Sequence, residues 1–317
     1  MEPGTQSALE QGDRYPDPNR AVIPGDSVEA EATQVSEGAD QEDVSRATPR
    51  EITLKYTRKI LKRGLVLLIV GYISPPVLIL FLVTGIYDVV RHGQNLAEVF
   101  HRYFLINGSL AWLFSPINAL VDILSLPNIN KKIYKLTDFP ASYQEEIRTV
   151  TEGCPKEEII AEVSRRSGSD PRSMLIYQWY GYKNPGVRSE LFQQDFKHIL
   201  TIGVSTFQKQ KGTKRHFGWL RAGIRVLYNI DDLTDDRAFI NVNGIRHTWS
   251  KDGPLFIFDN TILHQSLNLT DKDRHCLFID IVRPSYFSGL IRGFIVLFGI
   301  VAARLSLLKH SSKWRMI

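Results

Sequence analysis

Apolar residues along this chain fall into distinct regimes. Gly64–Tyr87 is a run of 24 residues without a charge, and Tyr103–Val121 is a second run of 19. At about 1.5 Å per helical residue the first is long enough to cross a bilayer. Pro75-Pro76 in its middle predicts a kink, or a hairpin that enters and leaves on one side. The second run, carrying Asn107, Pro116 and Asn118, fits either a span or a segment lying in the interface. From about residue 173 the pattern changes to short β-rich runs between turn clusters: LIYQWYGY, HILTIGVSTF, GIRVLYNI, AFINVNG, HTWS, PLFIFD and CLFIDIV. Many short strands of this kind predict an all-β barrel or double-sheet jelly roll. Residues 141–166 read as helix, broken in two by Gly153 and Pro155. After the last strand, Tyr286–Leu308 is apolar but interrupted by Arg292 and Arg304, leaving an unbroken core of 11 residues, Gly293–Ala303. That is short for a span. It suits a helix lying at the headgroup level with snorkelling arginines, the alternative being a buried helix capping the barrel.

Charge sharpens this division. The net charge of +5 splits into −7 over residues 1–50 and +12 over the rest. The acidic start is rich in Pro, Gly, Ser and Gln and poor in aromatics, so it reads as a disordered tail. It lacks the basic and apolar run of a signal peptide. Lys55, Arg58, Lys59, Lys62 and Arg63 precede the first apolar run and place the N-terminus in the cytoplasm. Two spans would then leave the β-rich domain cytoplasmic, and a single span would put it in the lumen or outside. The basic run Lys209, Lys211, Lys214, Arg215 beside such an anchor points to an anionic lipid headgroup rather than to nucleic acid. Cys154 and Cys276 fit no metal spacing and no disulfide framework. Asp231-Asp232 and Asp235-Asp236 lack the glycine and terminal Glu of a calcium loop and read as a solvated turn. No Gly-rich phosphate loop, nucleophile elbow or internal repeat is present in the sequence.

Candidate chemistry lies in the β-rich part. His216 precedes one β-rich run, and His264 follows the run FIFD. Arg274 comes ten residues after His264, with LTDKD as an intervening turn. Two imidazoles on strands can hold iron while leaving positions open for a co-substrate and O₂. The planar fork of an arginine matches the far carboxylate of 2-oxoglutarate, which a lysine does not. The turn would set His264 and Arg274 on adjacent antiparallel strands facing one cavity. Against this stands the bland reading, in which the histidines are structural and Arg274 is a solvated strand charge.

The surrounding residues tip the balance. The Trp249…Gly253 turn, Phe258-Asp259, His264, Arg274 and the closing Arg283-Pro284 resemble the C-terminal half of the aspartyl/asparaginyl β-hydroxylase family. The likeness is greatest to the branch that includes bacterial lipid A acyl-chain hydroxylases. It runs upstream through HFGWLRAGIR and Trp179-Tyr180-Gly181, and more weakly to SPINAL and FPASYQEEIR, so that it covers roughly residues 112–285. The resemblance implies a mostly β, double-stranded β-helix (jelly-roll, cupin-like) catalytic domain, and the apolar runs add N-terminal membrane helices and a C-terminal membrane-associated helix. It implies His216 and His264 as Fe(II) ligands, Arg274 as the 2-oxoglutarate anchor, Arg225 as a further co-substrate contact, and Asp259 as a support for the second imidazole. The expected division is residues 1–54 tail, 55–127 anchor, 128–285 oxygenase domain and 286–317 membrane-associated segment.

This sequence departs from the family's pattern at two positions. Gly218 stands where the lipid A branch carries a carboxylate ligand; the animal aspartyl/asparaginyl hydroxylases carry glycine there. Leu227 stands where the family usually has a histidine. The leading expectation is a membrane-bound Fe(II)/2-oxoglutarate dioxygenase that hydroxylates a lipid acyl chain. Hydroxylation of Asp or Asn in a peptide substrate is the alternative within the class. A non-catalytic, membrane-anchored binding protein with a degenerate barrel is the alternative outside it.

Overall fold

The computed structural model describes residues 71–304 except 107, 127–130 and 169–171, together with isolated positions between 54 and 69 and residues 315–316. The acidic tail, most of the basic cluster, Val66, Leu67 and Val70 of the first apolar run, Asn107, and residues 305–314 and 317 of the C-terminal segment lie outside the described residues.

Two antiparallel sheets form the body. The larger contains β1 (Ile133–Tyr134), β2 (Arg172–Trp179), β3 (Tyr182–Lys183), β4 (Ile199–Phe207), β6 (Gly223–Asn229), β9 (Leu255–Phe258), β11 (Arg274–Val282) and β12 (Arg315–Met316), in the order β1-β9-β6-β11-β4-β2-β12 with β3 beside β2. The smaller contains β5 (Lys211–Gly212), β7 (Ala238–Val242), β8 (Ile245–Thr248) and β10 (His264–Asn268), in the order β5-β10-β7-β8. Every pairing is antiparallel except β12 with β2. The mostly antiparallel β architecture is the one the alternating runs predict.

Alternation along β11 builds both faces of the large sheet. Leu277, Ile279 and Ile281 point outward into a core shared with Tyr143, Ile147, Val150, Ile159 and Val163. Those five lie on α5 (Ala141–Glu152) and α6 (Lys156–Ser167), the two helices separated at Gly153–Pro155. Cys276 and Phe278 point inward and pack with Ile240 and Val242 of the small sheet and with Leu227, Phe256 and Phe258. Burying each large side chain of this kind is worth roughly 1.5–3 kcal/mol. Gly203 is required for this inner layer, because a Cβ there would meet the Phe278 ring at 2.6 Å.

The helical N-terminal region comprises α1 (Pro75–Val90), α2 (Leu96–Phe100), a π-helical turn (His101–Ile106), α3 (Gly108–Leu113) and α4 (Ser115–Leu124). Pro75-Pro76 does not kink a continuous rod. The helical backbone stops at Ser74 and a new helix starts with both prolines in its first turn, where a missing N–H costs nothing. The second apolar run is likewise divided among short elements. Among the described residues no helix is long and apolar enough to cross a membrane. The C-terminal α7 (Ser288–Arg304) buries Ile291 and Ile295 in the core of the large sheet and leaves Leu290, Leu297, Ile300 and Val301 exposed. It therefore caps the sandwich with one face and presents apolar side chains outward with the other.

Candidate active site

His216 and His264 face each other across a backbone pair. The amide of His216 donates to the carbonyl of His264 at 3.0 Å, the reverse bond is 2.9 Å, and the ring centroids are 4.3 Å apart. His264 is the first residue of β10, whereas His216 lies in the irregular segment after β5, so only one imidazole is borne on a strand. Both rings are oriented by the same device. Nδ1 of His216 donates to the Lys214 carbonyl at 2.7 Å, and Nδ1 of His264 to the Ile262 carbonyl at 2.8 Å. A carbonyl only accepts, so Nδ1 carries a proton in each ring. Burial, reinforced by the neighbouring His216, holds His264 well below the usual imidazole pKa. It is therefore neutral near pH 7, the state that a metal ligand needs.

The third-ligand position is closed by a neighbour. A Cβ on Gly218 would lie 2.9 Å from Oδ1 of Asn260, and the Gly218 amide donates to the Asn260 carbonyl at 2.7 Å. The Asn260 amide side chain thus fills the space that a carboxylate at 218 would need. Among the described residues no group of three His, Cys, Asp or Glu converges as a metal cluster. The side chains that converge at this point are the two imidazoles of His216 and His264.

Arg274 begins β11 and is 1% exposed. His264 and Arg274 do not sit on adjacent strands: β10 pairs with β5 and β7, whereas β11 pairs with β4 and β6. They belong to opposite sheets, and the guanidinium reaches across the sandwich to donate from Nη2 to Ser266 Oγ at 2.8 Å. Phe207 and Trp249 flank it, with ring centroids 4.6 and 5.5 Å away. Nε and Nη1 are buried without a hydrogen-bond partner, and so is Nε1 of Trp249. Burial lowers the arginine's pKa. No carboxylate among the described residues forms an ion pair with it. A buried guanidinium with two idle edges is costly unless an anion completes it. The sequence reading missed Ser266 and Trp249 as site residues. Ser266 was legible, since a residue two after His264 on a strand shares its face.

Two expected roles are revised. Arg225 faces the interior over the Phe278 ring, but Nε and Nη2 are taken by a bidentate pair with Asp280 at 2.8 Å each. It brings positive charge near His264 and lacks the open fork of a second carboxylate clamp. Asp259 does not support the His264 ring, whose Nδ1 is held by Ile262. Its carboxylate accepts instead from Thr261, Arg91 and Arg283, at 2.6, 2.5 and 2.8 Å. Leu227, at the position of the family's histidine, packs with Phe256 and Phe278 in the inner layer.

Comparison with known proteins gives one family match. Residues 187–284 match the family model described as aspartyl/asparaginyl beta-hydroxylase. Over this segment, less than half of the chain, the sequence is similar to that family. The matched span contains His216, Asn260, His264 and Arg274 and ends at Pro284. The matched family is one of hydroxylases. No curated protein matches the chain. Solved structures overlap it only loosely. A prolyl-4-hydroxylase from Pseudomonas putida shares 14% identity, covering 46% of this chain and 91% of that one at a TM-score of 0.30. A point mutant of salicylate 1,2-dioxygenase from Pseudoaminobacter salicylatoxidans shares 14%, covering 48% and 36% at 0.26. The protein TT1209 from Thermus thermophilus shares 13%, covering 32% and 89% at 0.23. This chain thus spans about a third of the salicylate dioxygenase.

Proposed function

We propose that this chain is an Fe(II)- and 2-oxoglutarate-dependent hydroxylase of unactivated C–H bonds. It would be built on the double-stranded β-helix of its family and would act on a lipid acyl chain at a membrane surface. The observation that carries the co-substrate is Arg274. Its buried fork with two unpartnered edges, beside the Ser266 hydroxyl and the idle Trp249 N–H, suits one carboxylate end of a dicarboxylate. The two imidazoles, each with Nδ1 held by a backbone carbonyl, suit a divalent iron bound through Nε2. Iron with 2-oxoglutarate supplies oxidation of the C–H bond by O₂, with succinate and CO₂ as by-products. The protein's own part is to orient the dicarboxylate from Arg274, to fix the imidazole tautomers, and to keep water out with Leu227, Phe256, Phe258 and Phe278.

The lipid assignment rests on where apolar surface is exposed. Val77, Leu80, Val83, Ile86 and Val90 on α1, Leu120 and Ile123 on α4, and Leu290, Leu297 and Ile300 on α7 all face outward. The Phe114 and Phe298 rings, 5.5 Å apart, join the first group to α7. Exposed Trp219, three residues after His216, extends the apolar surface to the rim of the site. Large apolar exposure of this kind suits a bilayer interface. The competing reading, hydroxylation of Asp or Asn in a peptide, is favoured by the family match and by Gly218.

The test is anaerobic titration of the full chain with Fe(II) and 2-oxoglutarate, followed by succinate release on admitting O₂. Acylated lipid vesicles and Asp-containing peptides serve as alternative substrates. Succinate formation stimulated by vesicles and lost in His264→Ala is expected. Stimulation by the peptide alone would transfer the assignment to the second reading. Absence of both metal and 2-oxoglutarate binding in folded protein would leave a non-catalytic barrel.

A further inference from the structure

The imidazoles stand on segments that the sheets hold poorly. β5, which leads to His216, is two residues long, and the turn 259–263 before His264 is irregular. Both are gripped from outside by the helical region. Arg91, just past the end of α1, donates to Asp259 at 2.5 Å and to Thr261 Oγ1 at 3.3 Å. Asn118 on α4 brackets the loop after His216: its Nδ2 donates to the Trp219 carbonyl at 3.0 Å, and its Oδ1 accepts from the Arg221 amide at 2.8 Å. Arg102 donates to the Arg215 carbonyl at 3.2 Å, and Glu98 pairs with Arg215 at 2.7 Å. Phe217 and Leu263, each next in sequence to an imidazole, pack together with Val89, Val99, Tyr103 and Ala111 of the helices.

We propose that α1–α4 form a clamp that sets the separation of the two imidazoles, with Arg91 and Asn118 as positioning residues. The functional unit then extends well N-terminal of the family segment. The assignment rests on the reading of His216 and His264 as the metal pair. It goes beyond that reading by placing a determinant of metal affinity in helices that look, from sequence, like an anchor alone. A site with two protein ligands has no third side chain to correct a displaced imidazole, so backbone placement governs its affinity.

The experiment uses the full chain with Arg91→Gln, Arg91→Lys and Asn118→Ala. Co(II) serves as an anaerobic absorption probe, and amide hydrogen exchange reports on residues 214–221 and 259–264. Asn118→Ala removes no charge and leaves every ion pair in place, so it carries the test if Arg91→Gln does not fold. Expected is a tenfold or greater loss of Co(II) affinity and faster exchange in both segments, with exchange in β4 and β11 unchanged and partial recovery in Arg91→Lys. A purely structural role would lower the melting temperature without moving metal affinity in the folded state. Folded variants with wild-type Co(II) affinity and unchanged exchange in both segments would overturn the clamp. If wild type and His264→Ala take up Co(II) alike, the metal reading fails. The exchange data then decide the clamp by themselves: faster exchange supports it and unchanged exchange overturns it.

Discussion

Two groups of buried arginines in this molecule obey opposite rules. Outside the sandwich, Arg91, Arg221 and Arg283 meet Asp88, Asp122 and Asp259 in a closed network. Arg221 pairs with Asp88 and Asp122 at 2.5 Å each, and Asp259 receives Arg91 and Arg283. Inside, Arg274 is equally buried and has a hydroxyl and two aromatic faces but no anion. Charge that is fully paired within the chain joins elements together. Charge that the chain leaves unpaired is kept for something that arrives from outside. The pKa directions agree. Burial would raise Asp259, but Arg91, Arg283 and Arg221 outweigh it and hold the carboxyl below its ordinary range, while Arg274 is lowered by burial.

The sharpest way to break this contrast is to delete one arginine of each kind. Arg221→Met should cost about 3–5 kcal/mol, because Asp88 and Asp122 are left buried and unpaired. Denaturant unfolding of the full chain reads this directly. Arg274→Met should do the reverse in the absence of ligand, leaving stability unchanged or raising it by about 1 kcal/mol. The same substitution should weaken 2-oxoglutarate binding roughly 100-fold, about 2.7 kcal/mol, by isothermal titration. A destabilised Arg274→Met protein would mean that the guanidinium is paired in a way this reading denies.

Acid provides a second cut. His92 and His247 are pushed down to about 4 by burial, so the folded state holds them neutral. The unfolded chain takes up their protons first. Their contribution is therefore complete above the ordinary imidazole value of 6.5 and is lost as pH falls from there towards 4, roughly 3 kcal/mol each. Asp259 has the depressed carboxylate's dependence, present above its ordinary value of 3.8 and lost only below it. Thermal melts should thus decline between pH 6.5 and 4 in wild type, with the decline reduced in His247→Phe and a second fall below pH 4. The smallest effect is expected at the surface, where Glu162→Gln, which removes the carboxylate shared by Arg165 and Arg166, should change stability by less than about 0.5 kcal/mol. A large effect there would show that pairing alone, without burial, governs these arginines.

Legibility in the sequence followed locality. The β-rich runs overlap the longer strands, because alternation is a local signal set by one buried face, with β2 displaced by three residues at each end. The runs miss β10 and the two-residue strands β1, β5 and β12. HQSLN is short and half polar, and it is a strand because β7 and β5 pair with it from the far side of the sandwich. The Arg91–Asp259 contact joins residues 168 positions apart and has no local signature at all. Asp259, one residue past β9 and five before His264, reads in sequence as a support for the nearest imidazole. In space two guanidiniums, Arg91 and Arg283, pair with it, and His264 is held by its own backbone.

The sequence by itself determined the chemical kit: two imidazoles, a later arginine, glycine in place of a carboxylate, and apolar segments on both sides of a β-rich domain. It did so because residue type and spacing are properties of the chain. Tertiary structure decided what each group is free to do. Arg274 and Arg221 are the same residue with the same burial, and only the fold gives one of them two aspartates and leaves the other open. The physical reason is that the free energy of a charge is set by what surrounds it in space, and the chain order does not record that.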